Sequence, residues 1–239
     1  MRIDRFLANE GLGSRKEVKQ LIKAGLVKIN HQLVESPNQQ LSVETDEVSV
    51  NDHIIAYQPY VYIMLNKPQD VVSATQDKLH PTVIDCLDGS YGHLELFPVG
   101  RLDIDTTGLL LLTNDGKLAH QLLAPKNKVP KTYAATIKGQ VNEQDKLAFE
   151  HGLDLGDFVT QPANLQILAF DEVTNHTLIQ TTIIEGKFHQ VKRMFQKVGK
   201  EVIQLKRISM GSLVLDERLA ESEWRELSPS ELQHLMQDM

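Results

Sequence analysis

The chain has 239 residues, of which 41% are hydrophobic and 24% charged, and a formal net charge of −7. That length allows one large domain or two modest ones with their own cores, and that composition excludes wholesale disorder. A single cysteine, Cys86, excludes an internal disulfide and a cysteine-built zinc site, and the thiol reads as a small buried hydrophobe. Along the chain, Ile3, Phe6 and Leu7 come first at helical spacing, and Gly11-Leu12-Gly13 breaks that helix. Ser14 with Glu17 has the pattern of a capping box, so a second helix starts at Arg15. Val18, Leu21 and Ile22 form its apolar stripe, Lys16, Lys19 and Lys23 lie on the other side, and Gly25 is the expected stop. Val27-Lys28-Ile29, a turn near Asn30-His31 and Leu33-Val34 read as a hairpin.

Charge is segregated. Residues 1–30 hold seven Lys or Arg against three acids, residues 185–207 seven against two, and the tail from 214 onward two against seven. A basic helix face is most often only a solvated face. Two basic patches on an acidic body nevertheless suit binding of a polyanion at chosen surfaces. The stretch RFLANEGLGSRKEVKQLIKAGLVKIN, within about residues 1–50, resembles the ribosomal-protein-S-four-like RNA-binding domain. That resemblance implies a helix pair followed by a hairpin, with Arg5, Arg15, Lys16, Lys19, Lys23 and Lys28 gripping structured RNA. His31 stands where that family usually has glycine after the asparagine.

Residues 51–60 read as a connector, so the expected domains are 1–58 and 59–239. The second opens with a strand over Val61 to Leu65 and a turn at Asn66-Lys67-Pro68. Short strands are expected over Val71 to Ala74 and Leu94 to Val99, with a helical turn or two over Thr82 to Leu87 between them. The segment VGRLDIDTTGLLLLTNDG follows. It presents Asp103 and Asp105 on a loop that leads into four leucines, Leu109 to Leu112, and this short apolar run reads as a buried strand. Helices are expected over Gly116 to Leu123 and 143–150, and strands from Lys131, near 163–170, 176–184 and 202–215. Glu185 onward enters a helix with Val191, Met194, Phe195 and Val198 inward and His189, Lys192, Arg193 and Gln196 outward. Ser228-Pro229-Ser230-Glu231 starts a last helix. Strands outnumber helices, so the fold class is α+β with a mixed sheet.

No phosphate-cradling glycine motif, no metal-binding histidine spacing and no Gly-x-Ser-x-Gly are present. The remaining chemistry lies in the loop carboxylates, Tyr133 and the basic helix near 187–197. A carboxylate is a nucleophile toward a sugar or base carbon, provided that a nearby cation keeps it ionised. An aromatic ring stacks on a base drawn out of its helix. Each residue also has an ordinary reading: turn residues for the acids, a strand aromatic for Tyr133, a solvated face for Lys192 and Arg193.

GRLDIDTTGLLLLTNDG, KTYAATIKG, EGKFHQVKRMF and LKRISMGSL, in this order, resemble the RsuA-like branch of the pseudouridine synthases over essentially the whole chain. The resemblance implies a largely antiparallel mixed sheet with the cleft across it, and isomerisation of a uridine in RNA to pseudouridine without a cofactor or metal. It implies Asp103 as the catalytic aspartate, Tyr133 as the residue stacked on the target base and Lys192 as the basic partner of Asp103. Relatives often carry arginine at that last position, so Arg193 is the runner-up partner. Arg101, Lys187, His189 and Arg193 are expected to contact RNA. Small-subunit ribosomal RNA, free or in an assembly intermediate, is the expected partner. Large-subunit RNA is the alternative, and a non-catalytic RNA-binding assembly protein or a metal-dependent hydrolase using Asp103 and Asp105 are rivals. No leader segment opens the chain and no stretch is long enough to span a bilayer, so a soluble cytoplasmic monomer is expected. Ser222 stands where the branch usually has glycine.

Overall fold

The computed structural model describes every residue except 44, 56–59, 90, 93 and 239. It divides into two compact units, Met1–Tyr60 with Ser90–Glu95, and Val61–Gly89 with Leu96–Met239. In the first, α1 (Ile3–Asn9) and α2 (Arg15–Lys23) precede β1 (Val27–Ile29), β2 (Gln32–Leu33), β3 (Val48–Val50) and β4 (His53–Ile55). The strands pair antiparallel in the order β2-β1-β3-β4. Ser14 and Glu17 close the expected capping box, and Val18 and Ile22 bury the inner face of α2 against Ile3, Phe6, Leu7 and the sheet. Lys16, Lys19 and Lys23 are exposed and make no ion pair with a described residue. Asn30 and His31 take φ of 49° and 65°, so both turn residues are left-handed, as the tight hairpin requires. Residues 51–60 are not all connector: Asn51 and Asp52 make a second such turn and His53–Ile55 returns as β4. Ala56 to Pro59, the rest of the expected connector apart from Tyr60, lie outside the described residues.

The second unit is a mixed, mostly antiparallel sheet with helices packed on it, nine strands among the described residues. Its elements are β5 (Tyr62–Lys67), β6 (Phe97–Pro98), β7 (Thr107–Thr113), α3 (Gly116–Leu123), β8 (Lys131–Lys138), α4 (Glu143–His151), β9 (Asn164–Asp171), β10 (His176–Ile183), α5 (Gln190–Lys197), β11 (Glu201–Met210), β12 (Leu213–Val214), β13 (Trp224–Glu226) and α6 (Pro229–Gln237). The strand order is β13-β5-β7-β11-β8-β10-β9, with β6 on β7 and β12 on β11. Only β7 and β11 run parallel.

Strand β7 is buried along its whole length, which explains its unbroken leucines: it lies between β5 and β11 and is covered on both faces. Leu109 and Leu111 join Met64, Val99, Leu118, Leu122, Met210 and Leu235 in one core. Gly108 enters this strand at φ 99°, and a Cβ there would lie 2.3 Å from the Arg207 carbonyl. Only glycine lets the chain pass so close to β11.

Five expectations are corrected. Strand β5 runs on through Asn66 and Lys67, because both are buried and pair with Leu109 and Gly108. Val71 to Ala74 is no strand: Val72 makes one bridge to Thr82, and Ser73 bonds the backbone of Leu102 instead of a neighbouring strand. Leu94 to Val99 is a strand only at Phe97–Pro98, since Pro98 has no amide to extend the ladder and Gly100 turns at φ 77°. Val198 is half-buried rather than core, and 202–215 is a hairpin of β11 and β12.

Ser222 sits at φ 74°, with its amide donating to the Asn66 carbonyl at 2.9 Å. A serine pays strain there that a glycine does not. Ser222→Gly is expected to stabilise the chain by about 0.5–1 kcal/mol in urea denaturation. A destabilised variant would show that the left-handed backbone carries no strain.

Candidate active site

The loop between β6 and β7 is fastened at every second residue. Ser73 Oγ donates to the Leu102 carbonyl at 2.9 Å and accepts from the Leu102 amide at 3.0 Å. The ammonium of the fully buried Lys67 donates to the carbonyls of Pro68 (2.9 Å), Ile104 (3.3 Å) and Thr106 (2.9 Å). The Asp70 amide donates to the Ile104 carbonyl at 2.9 Å, and the Thr106 amide closes a turn on the Asp103 carbonyl at 3.0 Å. Three carbonyls match the three N–H groups of an ammonium. Burial pushes Lys67 down to about 8, against the opposing pull of Cys86 and the carboxylates of Asp105, Asp103 and Asp70.

The alternate residues, Asp103 and Asp105, meet Lys192 of α5. Lys192 Nζ lies 2.5 Å from Asp105 Oδ1 and 3.2 Å from Asp103 Oδ2. Asp105 is 60% exposed and Asp103 only 28%, so the carboxylate with the longer contact is the more sheltered one. Burial opposes the Asp105 charge, but the hydrogen bond and charge of Lys192 outweigh it, and the carboxyl titrates below the ordinary carboxylate range. Arg193 points elsewhere. It pairs with Asp157, donates to the Leu155 carbonyl at 3.2 Å and lies 5.2 Å from the Phe158 ring centre.

The turn into α5 is clamped from inside. Buried Gln190 donates to Glu185 Oε2 at 2.9 Å and accepts from the Lys187 amide at 3.1 Å. His189, left-handed at φ 49°, brings Nε2 to 3.6 Å from Asp103 Oδ1. Its ring stacks on Phe188 with centroids 3.7 Å apart and planes 19° apart. Lys187 Nζ lies 3.5 Å from Glu185 Oε1 and 3.6 Å above the Phe158 ring.

Tyr133 is buried on β8, in register with Thr181 of β10 and Arg207 of β11. Two buried cations accompany it. Lys131 donates to the Val129 carbonyl at 2.8 Å and is pushed down to about 8 by burial and then by the charge of Arg207. Arg207 Nε donates to the Leu109 carbonyl at 2.8 Å, and its Nη2 has no hydrogen-bond partner among the described residues. Asp103, Tyr133, Lys192, Arg101, Lys187 and His189 line one recess, together with Thr106, whose buried hydroxyl also has no partner among the described residues. Arg5, Arg15, Lys16, Lys19, Lys23 and Lys28 belong to the first unit, where Lys28 Nζ lies 2.5 Å from Asp52 Oδ1. The sequence reading gives Lys67, Ser73 and Gln190 no part in the site: Lys67 and Ser73 act through loop carbonyls and an amide that the fold brings to them, and Gln190 through the Glu185 side chain and the Lys187 amide.

A sheltered carboxylate with a cation at 3.2 Å, beside an aromatic ring in a recess, has the makings of a nucleophile or base toward a flat ring and its sugar. Among the described residues, no group of three or more His, Cys, Asp or Glu is arranged to hold a metal ion, and no helix is long and apolar enough to cross a membrane.

The family model of RNA pseudouridylate synthase matches residues 61–197, and that of the S4 domain matches residues 1–48. The chain is 47% identical to an uncharacterized RNA pseudouridine synthase, YtzG, of Bacillus subtilis, over all of this chain and 99% of that one. It is 40% identical to the ribosomal small subunit pseudouridine synthase A of Haemophilus influenzae, over 99% of this chain and 100% of that one. It is 38% identical to the ribosomal large subunit pseudouridine synthase B of Bacillus subtilis, over 98% and 95%. A crystal structure of a pseudouridylate synthase superposes with a TM-score of 0.68 at 38% identity, covering 98% of this chain and 99% of that one.

The buried ammonium has a pH signature. Lys67 titrates at about 8 in the fold and at 10.5 when free, so its contribution to stability is lost as the pH falls through about 8 and is fully present above 10.5. Denaturation of the native chain and of Lys67→Met at about pH 7 and about pH 10 is expected to show the stability difference moving toward the native chain at the higher pH. A flat difference, or one moving the other way, contradicts the burial of the charge.

Proposed function

The chain belongs to the RNA pseudouridylate synthase family, and on that premise we propose that it converts one uridine of small-subunit ribosomal RNA to pseudouridine, with Asp103 as the group that opens the reaction. The observation that carries this reading is the contact between Asp103 and Lys192, 3.2 Å, inside the recess that Tyr133 lines. In the reaction the bond between uracil N1 and ribose C1′ breaks, the uracil turns, and C5 bonds to C1′. The C5 proton leaves to solvent and N1 takes one up, so the product is an isomer and no outside reagent is consumed. Asp103 serves as nucleophile or base. Lys192 orients it, and Tyr133 stacks on the displaced uracil.

Arg101, Lys187 and His189 stand at the recess to receive the RNA backbone. Arg193 is held by Asp157, so its part is to fix the end of α5 against the 155–157 loop. The exposed lysines of α2, with Arg5, Arg15 and Lys28, grip structured RNA as an S4 domain offers them. The small-subunit assignment is supported by the Haemophilus relative at 40% identity. The large-subunit relative at 38% supports a second reading, in which the uridine lies in the large-subunit RNA.

Release of tritium from 5-tritiated uridine tests both. The native chain is expected to release it from small-subunit RNA or its assembly intermediate, and Asp103→Asn to lower turnover by about a thousandfold or more while RNA affinity stays. Release confined to large-subunit RNA favours the second reading, and an active Asp103→Asn protein sinks the role of Asp103. For the first unit, changing Lys16, Lys19 and Lys23 to glutamine is expected to flatten the plot of log affinity against log salt by about 2, since each phosphate contact releases counterions. An unchanged slope in filter binding would make that helix face merely solvated.

A further inference from the structure

Phe188 is the one exposed phenylalanine among the seven in the chain, at 72% exposure. It lies between Lys187 and His189, both of which line the recess that holds Asp103. One face of its ring is covered by the His189 imidazole, 3.7 Å away and nearly parallel. The other face is open to solvent. The turn that carries the pair is not a loose tip: the Gln190 side chain ties Glu185 to the Lys187 amide, and His189 is held left-handed with Nε2 3.6 Å from Asp103 Oδ1. An apolar ring is thus presented to water at the mouth of a charged recess, backed by a second ring.

We propose that Phe188, backed by His189, is a stacking platform for an unpaired nucleobase adjoining the target nucleotide. The inference rests on the reading that the recess takes a uridine in RNA. A base that undergoes chemistry at its ring must leave its stack, and its neighbours then lose a stacking face. A flat ring at the rim supplies that face to any base, because stacking on an aromatic ring is tolerant of sequence. Lys187, next to the pair in the chain, lines the same recess and is 45% exposed at its side chain, so a cation stands near the adjoining phosphate. The platform is a binding group and touches none of the reacting bonds.

The test uses the full chain and a small-subunit ribosomal RNA transcript. Phe188→Leu is expected to raise KM for tritium release about tenfold, more than it lowers kcat, and Phe188→Trp to restore it. In a second measurement, Phe188→Trp is titrated with the same transcript, with the native chain, whose only tryptophan is Trp224, as baseline. The added tryptophan fluorescence is expected to be quenched as RNA binds. Tritium release with an unchanged KM in Phe188→Leu overturns the platform and leaves the proposed function standing. No release from the native chain overturns the proposed function. The fluorescence then decides the platform alone: quenching by bound RNA supports it, and bound RNA without quenching overturns it in favour of a surface for another protein.

Discussion

A single buried ammonium organises the second unit's recess. Lys67 lies fully buried at the end of an interior strand, and its three N–H groups end on three carbonyls, two of them in the loop that carries Asp103. A backbone loop without regular secondary structure must have its polar groups paired by something. Here Lys67 and Ser73 pair the even-numbered residues 102, 104 and 106, which turns the odd-numbered acids to the other side. The loop is then continuous with β7, the most buried strand of the sheet, so its position is set by the core itself. Charge burial of this kind is costly, and the lowered titration of Lys67 is the visible sign of that cost.

One lysine from α5 faces two carboxylates, and the outer one, Asp105, makes the shorter contact. Asp105 therefore holds Lys192 in place, while Asp103 faces the recess with a cation beside it and the His189 ring on its other side. The clamp at Gln190 and the ion pair between Arg193 and Asp157 fix the helix that supplies the lysine. Catalysis by positioning needs side chains whose supports are themselves fixed, and each member of this set has such a support. The chemistry of the family, which rearranges one nucleotide without an external reagent, asks for little more than a placed carboxylate and a held base.

What the sequence revealed follows from the range of the forces involved. The capping boxes at Ser14 and Ser228 and the leucine run of β7 were legible because helix starts and buried strands obey short-range rules. So was the turn at Asn30-His31. Asp103, Tyr133 and Lys192 stood out through motif resemblance, and spacing alone left each an ordinary reading. Lys192 and Arg193 are neighbours in the chain, and only the fold shows one directed to Asp103 and the other to Asp157. Lys67 read as part of a turn before a proline, because nothing local announces that three distant or adjacent carbonyls will converge on its ammonium. Val71 to Ala74 read as a strand for the same reason: whether Ser73 spends its hydroxyl on Leu102 is decided by tertiary structure.

The Lys67 ammonium holds the loop so that Asp103 faces the recess. The most direct measurement is the turnover of Lys67→Met in the tritium-release assay, on protein whose folding is verified by circular dichroism and calorimetry. Lys67 does not touch Lys192 and meets the recess lining only at the backbone carbonyl of Thr106, so a folded variant retains every side chain at the site. Turnover is expected to fall about a hundredfold, the scale of loss for a reacting group displaced by about 1 Å. Turnover equal to that of the native chain would contradict that role of Lys67, and would mean that the ion pair with Lys192 alone suffices to place Asp103.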